Sequence, residues 1–286
     1  MNIADFAAGF DATVDSALEW VSDNGASAFD LINDALKGLY EAVLWVLNLA
    51  PFYAVALVIG VLAWRLAANL RFGVLSALTL VFCAVMGLWG ETMSTLALVL
   101  TATTLALLVG VPAGVAAGLL PALDKVVEPV LDLIQTLPPY IYLLPAIALL
   151  GYGPATAMVA TFIVAVPPVF RLTSLGIRMT PKEFIELGQA SGTNGWQLFF
   201  KIRLPFALPS IMTGVNQSLM MAFGMVVIAG IVGSGGLGES IYGAIRTLDI
   251  AKSIDAAIAI VILTLILDRL AQSASRIGRE ASHESR

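Results

Sequence analysis

Between two long apolar stretches lies a polar island whose residue types could do chemistry without any covalent step. It reads Glu186-Leu187-Gly188-Gln189-Ala190-Ser191-Gly192, then nine residues, then Ile202-Arg203-Leu204-Pro205. The order is an acidic and small-residue helical turn, a glycine break, a second amphipathic turn and a proline stop. Thr180-Pro181-Lys182-Glu183 ahead of it has the form of a helix start, with Thr180 expected as the cap, Pro181 at the first position and Glu183 at the third. Phe184, Ile185, Leu187 and Gly188 then give the first helix an apolar side, and Trp196, Leu198, Phe199 and Phe200 crowd the second part. A loop facing only water would not keep so many large apolar groups. The chemistry implied is recognition: a short helix offered to a soluble partner.

Other chemistries lack their residues. The one histidine, His283, sits in a polar tail, and the one cysteine, Cys83, lies inside an apolar run, so neither a metal cluster nor a disulfide is readable. There is no H-E-x-x-H and no G-x-S-x-G, so an intramembrane enzyme lacks its catalytic groups. Gly233-Ser234-Gly235-Gly236-Leu237-Gly238 matches G-x-G-x-x-G literally, but a dinucleotide site needs that turn between a strand and a helix. Here it closes an apolar segment, and a re-entrant turn is the expectation. No G-x-x-x-x-G-K-[ST] occurs, so if ATP drives this chain a separate subunit binds it. Nothing points to nucleic acid.

The elements that must position the island are membrane spans. The chain is 59% hydrophobic and 12% charged, against about 25% charged in soluble domains. Uncharged runs of this length cross a hydrocarbon core of about 30 Å as helices, because in lipid each segment must pair its own backbone groups. Seven spans are expected, at 51–69, 73–90, 93–120, 129–150, 155–177, 206–232 and 254–272, giving an all-α polytopic membrane protein. Residues 1–50 form an acidic segment, 51–272 the membrane domain with a cytoplasmic loop at 178–205, and 273–286 a polar tail. Within residues 1–41, Asp5, Asp11, Asp15, Glu19, Asp23, Asp30, Asp34 and Glu41 face Lys37 alone. Phe6, Phe10, Val14, Leu18 and Val21 recur at helical spacing, so one amphipathic surface helix is expected there and a second around Phe29–Tyr40. Residues 1–24 lack the basic start and apolar centre of a cleavable signal peptide.

Orientation follows from the basic residues. With the N-terminus outside, the inner side holds twelve of them, including Arg171, Arg178, Lys182, Lys201 and Arg203, and the outer side only Lys37, Arg246 and Lys252. The island is then cytoplasmic. Gly110, Gly114 and Gly118 put one bare face on the third span, where a neighbouring helix can approach. Pro112, Pro138-Pro139, Pro145 and Pro167-Pro168 interrupt the middle spans, as plain kinks or as parts of a pathway. Asp132, Asp268 and Arg269 fall near span ends, where snorkelling accounts for them, and no charge falls at mid-span as an ion-coupled carrier usually needs.

The island resembles the EAA loop of ABC-importer permeases, Glu-Ala-Ala, three residues, Gly, nine residues, Ile-x-Leu-Pro. Glu186-Leu187-Gly188 stands for Glu-Ala-Ala, while Gly192, Ile202, Leu204 and Pro205 keep the family spacing. Asp132-Leu133-Ile134-Gln135-Thr136-Leu137-Pro138 with Tyr142-Leu143-Leu144-Pro145, and Pro167-Pro168-Val169-Phe170-Arg171-Leu172-Thr173, are similar to segments of the glycine betaine/proline betaine permeases. Met225–Ala229, Gly235–Gly238 and Ile266–Leu270 also match, so the resemblance covers about residues 90–272.

The resemblance implies a type I ABC importer in a bacterial cytoplasmic membrane. A pair of permease chains would form the pathway, a homodimer being expected. A pair of ATPase subunits holding ATP and Mg would dock below, and a separate binding protein would deliver ligand from outside. Glu186, Leu187, Gly188, Ala190, Gly192, Ile202, Leu204 and Pro205 are then the ATPase-coupling residues. The chain itself is not an enzyme and holds no cofactor. Its cargo would be glycine betaine, proline betaine, choline, carnitine or trimethylamine N-oxide. The aromatic box that holds such cations would lie in the binding protein. Tyr140, Tyr142, Pro145 and Phe170 could line the path or pack against neighbours and lipid. The alternative is a stand-alone secondary carrier or channel.

Overall fold

The computed structural model describes residues 3–284, with side chains described for residues 9, 11–13 and 15–273. The side chains of Phe6, Phe10, Val14, Arg276, Arg279, His283 and Arg286 lie outside the described set. Among the described residues there is no strand. The helices are α1 (Ile3–Leu47), α2 (Phe52–Ala67), α3 (Leu70–Val85), α4 (Trp89–Leu119), α5 (Pro121–Thr136), α6 (Tyr140–Leu150) and α7 (Pro154–Arg178). They continue as α8 (Lys182–Ala190), α9 (Gly195–Leu198), α10 (Leu204–Ala229), α11 (Gly236–Thr247) and α12 (Ile250–Glu284). A π turn, Phe199–Arg203, precedes α10, and a 3-10 turn, Gly230–Val232, follows it.

The centre is the trio α4, α7 and α10, held close by missing side chains. Lipid gives apolar helices no hydrophobic reason to associate, so packing distance decides. A methyl group built on Gly110 would lie 2.5 Å from Val169 Cγ1, on Gly114 2.6 Å from the Phe170 carbonyl oxygen, and on Gly118 2.7 Å from Ile177 Cβ. The stripe therefore runs along α7, with both helices pointing the same way. On an adjoining face of α7, Gly176 meets Ala207 and Gly214 meets Val169, so α10 returns antiparallel. Pro167 and Pro168 lie inside α7 without ending it, and the Ser218 hydroxyl of α10 donates to the neighbouring Ala165 carbonyl at 2.6 Å. Met93, Leu98, Val99, Met158, Met225, Val226 and Leu263 fill the buried core around this trio and α12.

The seven expected spans, the middle ones interrupted at proline, correspond to fewer uninterrupted helical runs. Four helical runs are long and apolar enough to cross alone: α4, α7, Gly195–Val232 and Ile250–Ser273. Two more arise only if each bent pair counts as one span: α1 with α2 at 93° and α5 with α6 at 100°. The stretch 129–150 breaks at the Pro138-Pro139 interruption expected there. Pro138 drives Leu137 out of the helical region to φ −75°, ψ 140°, and α6 leaves at that corner. The apolar runs at 51–69 and 73–90 become α2 and α3, 16 residues each and so about 24 Å long. They pack through Gly60 and Gly73 and turn at Ala68 and Asn69, whose side chain accepts from the Arg71 and Phe72 N–H groups. The two N-terminal helices expected are one helix of 45 residues, because nothing between Val21 and Phe29 stops it. Its C-terminal half is anchored by buried Tyr40 and by Asn33, which donates to the Leu150 carbonyl at 3.0 Å.

The glycine stripe gives a direct expectation. Gly114→Val should destabilise the purified protein by about 1–3 kcal/mol, the usual cost of forcing bulk into a packed contact. Gly90→Ala, with nothing within 4 Å, should melt like the wild type. Thermal unfolding in detergent reads both, and equal melting temperatures for Gly114→Val and wild type would refute the close approach.

Candidate functional site

The island forms a knob of two short helices hung between α7 and α10. Its start differs from the expected cap. Thr180 turns its hydroxyl back to the Ile177 carbonyl at 3.0 Å, so it finishes α7, and α8 begins at Lys182 after Pro181 with no side-chain cap. Pro181 needs no partner for a missing N–H and still delivers the chain in the right direction.

Gly188 is the buried residue of α8. A methyl group there would lie 2.7 Å from Ile202 Cδ1 and 3.0 Å from Leu198 Cδ1. Two positions singled out by their spacing, Gly188 and Ile202, are thus in contact. Glycine in place of the resembled pattern's alanine lets Ile202 seat directly on the α8 backbone. α8 stops where Ser191, Gly192 and Thr193 N–H groups donate to the Leu187, Gln189 and Gly188 carbonyls. Gly192 has φ +74° with open space around it, so it is required for its backbone conformation and not for room. Asn194 and Gln197 then cap α9 reciprocally. The helix widens to the π turn, where the Leu204 N–H donates to the Phe199 carbonyl, and Pro205 follows in the first turn of α10.

The knob has a packed side and an open side. Phe184 lies against Phe206 with ring centroids 4.9 Å apart, and Phe199 meets Phe200 edge-on at the same distance. Glu186, Leu187, Ala190, Gly192 and Pro205 are exposed, while Ile202 and Leu204 are half-buried. Trp196, 74% exposed, stacks on exposed Phe200, and Leu187 is 63% exposed. Val115, Leu119, Gly195, Trp196 and Phe199 enclose a recess of about 370 Å³ between α9 and the end of α4. What this surface can do is bury apolar area against a complementary cleft, with Glu186 as its anionic mark.

Beside the knob, α5 is clamped to α7 by charges that the sequence reading assigned elsewhere or passed over. Asp124, 6% exposed, accepts from the Ser174 hydroxyl at 2.8 Å and pairs with Arg178. Two turns further on, Arg171 pairs with Asp132 and donates to Gln135 Oε1 at 2.7 Å. Asp132 is therefore a partner of Arg171 as well as a residue near a helix end. The signal was present as matched spacing: acids at 124 and 132 on α5, and Arg171, Ser174 and Arg178 on one face of α7.

The four residues suggested for a pathway are not gathered round one cavity. Phe170, 3% exposed, packs between Ala117 and Leu131. Tyr142 gives its hydroxyl to the Ile134 carbonyl, the acceptor that Pro138 leaves without a helical donor. Tyr142 and Pro145 share an apolar recess of about 290 Å³ with Phe29 and Ile32 of α1, and Tyr140 stands exposed outside it. The glycine run 233–238 also has a packing explanation. A methyl group on Gly230 would lie 2.2 Å from the Gly238 carbonyl carbon, one on Gly238 2.3 Å from the Val226 oxygen, and Leu237 N–H donates to Thr95 Oγ1 at 2.8 Å. Those glycines wedge α11 against α10 and α4.

Comparison with known proteins follows this geometry. Residues 110–276 match the family described as "Binding-protein-dependent transport system inner membrane component". The chain is 36% identical over 269 residues to the glycine betaine/proline betaine transport system permease protein ProW of Escherichia coli strain K12, covering 94% of this chain and 76% of that one. It is 36% identical over 260 residues to the glycine betaine transport system permease protein OpuAB of Bacillus subtilis strain 168, covering 91% and 92%. Among solved structures, an inward-facing form of the MetNI methionine ABC transporter aligns at TM-score 0.58 and 25% identity, over 68% of this chain and 95% of that one.

The clamp can be tested without any partner. Arg178→Met leaves Asp124 buried with only Ser174 to answer its charge, and should lower stability by about 1–2 kcal/mol, the lower end for an unanswered charged group because Arg178 is itself half-exposed. Adding Asp124→Asn should restore most of the loss. Melting curves of the single and double variants report it, and additive losses would count against the pair.

Proposed function

Because the chain belongs to the family of binding-protein-dependent transport system inner membrane components, we propose that it is the permease subunit of an ATP-driven importer for small quaternary ammonium and methylamine compounds. The observation that carries this reading is the α8–α9 knob. It presents Glu186, Leu187, Trp196 and Phe200 outward on a base fixed by the Gly188–Ile202 contact. A surface of that kind suits insertion into a cleft of a soluble subunit. The cargo class is supported by the names of the relatives, which are betaine transport permeases.

In this reading the knob sits at the cytoplasmic face, with Glu186, Leu187, Gly188, Ala190, Gly192, Ile202, Leu204 and Pro205 forming or supporting the contact. A pair of ATPase subunits binds ATP and Mg and presses on a pair of these permeases. An extracytoplasmic binding protein delivers the ligand. The protein resides in the inner membrane of a bacterium with its N-terminus outside, residues 1–50 lie at the outer surface or membrane interface, and residues 273–286 form a cytoplasmic tail. This chain contributes the pathway and no catalytic step. Its residues bind, orient and transmit motion: α7 and α10 emerge directly from the knob, so a push on α8 and α9 acts on a closely packed pair of helices.

Glu186→Arg should leave the protein folded and lower ATP-driven uptake of glycine betaine in the reconstituted complex at least about tenfold, the effect of reversing a charge at an interface. Uptake and ATP hydrolysis are measured together in proteoliposomes containing the ATPase and binding protein. Uptake at the wild-type rate would sink the docking role.

A further inference from the structure

At the ends of α7 and α10 remote from the knob, two glycine-rich turns meet. The turn Gly151-Tyr152-Gly153 is tied to the other by the Gly153 N–H, which donates to the Val232 carbonyl at 2.9 Å. Between them and one face of α11 lies a recess of about 370 Å³ whose lining includes Tyr152, Val232, Glu239, Tyr242 and Arg246. α7 has 25 residues, which sets this recess about 37 Å from the knob. It is not part of the contact surface described above.

Its chemistry is specific. Tyr152 is 76% exposed, projected by glycines with φ of +75° and +133° on either side, and folding has no packing use for it there. The Arg246 guanidinium lies 5.9 Å from the centroid of the Tyr242 ring, so that ring already shows its π face to a cation. Glu239 Oε2 accepts the Gly235 N–H at 2.8 Å, which fixes the carboxylate at the rim. Neither Glu239 nor Arg246 has an ion-pair partner among the described residues. One recess thus offers two phenol rings, an anion and a cation.

We propose that this recess is a transfer site for zwitterionic methylammonium compounds on the permease itself, a claim that rests on the importer reading above. A quaternary ammonium has no N–H to donate, so π faces and an opposite charge are what can hold it. Tyr152, Tyr242 and Glu239 supply those. Arg246 takes the carboxylate with its forked donors. The recess is open, so its charges are screened by salt and its hold is weak, as suits a relay that must release what it receives.

The test uses the complete permease–ATPase complex in nanodiscs without binding protein, and reads saturation-transfer NMR on the N-methyl signals of glycine betaine and, separately, of choline. Tyr152→Leu and Tyr242→Leu should weaken both ligands roughly two- to fivefold, about the size of one exposed cation–π contact. Arg246→Gln should weaken glycine betaine by a similar factor and leave choline, which lacks a carboxylate, bound at least as well as before. Absent methyl signals, signals unaltered by all three variants, or equal loss of both ligands in all three would each overturn the site. Uptake by the wild-type complex with its binding protein is measured alongside. Uptake without variant-sensitive methyl signals sinks the site alone. Variant-sensitive signals in a complex that imports neither compound keep the site and sink the importer reading.

Discussion

Close approach of α4, α7 and α10 is the constraint on which the remaining structure depends. In a bilayer the backbone is satisfied within each helix, and neighbouring helices gain from each other only what their surfaces can touch. Gly110, Gly114 and Gly118 on one side of α7, and Gly176 and Gly214 at the other interface, strip away the atoms that would hold those surfaces apart. That contact brings the two ends of the polar island into register. α7 delivers the chain to α8 and α10 receives it after the π turn, so the knob hangs from two helices packed against each other.

The clamp from α5 extends the same logic with charge. Arg171 and Arg178 reach α5 from the half of α7 nearest the knob. The segment before the 100° corner is therefore fastened to the helix that leads into the knob. Past that corner, Tyr142 answers the carbonyl that Pro138 strands. A sharp break in an apolar segment is thereby kept without leaving a bare acceptor behind.

Much of this was legible where one residue type answers one local demand. Four-residue glycine spacing marked the face of α4 on which a neighbour packs, though not that α7 is the neighbour, and Gly192 marked the end of α8 because a positive φ has few other occupants. Where several local or distant partners compete for one group, the sequence was silent or misleading. Thr180 looked like a cap for the following helix, yet the nearer Ile177 carbonyl claims its hydroxyl. In the run 129–150 the break at Pro138-Pro139 was legible and the pre-proline restriction at Leu137 makes it, but its 100° angle was not. Phe170 sat in a suggestive motif, and its burial beside Ala117 and Leu131 depends on where α5 comes to rest. The recess formed by Tyr152 and Tyr242 joins residues ninety positions apart, a pairing that no local pattern encodes.

The π turn at Phe199–Arg203 has a mechanical meaning. Its Leu204 N–H reaches back five residues to Phe199, where an α-helix would reach back four. One residue of chain is therefore held as slack at the junction between the knob and α10. Such slack converts between the wide and the ordinary winding by exchanging one backbone acceptor for the next, so the junction can lengthen or rotate by about one residue, ~1.5 Å, while its hydrogen bonds are swapped and not lost. The knob is thus joined to its two supports unequally. It is set rigidly on the α7 side, where Thr180 closes the helix end, and compliantly on the α10 side, the arrangement of a lever with one fixed pivot and one sliding bearing.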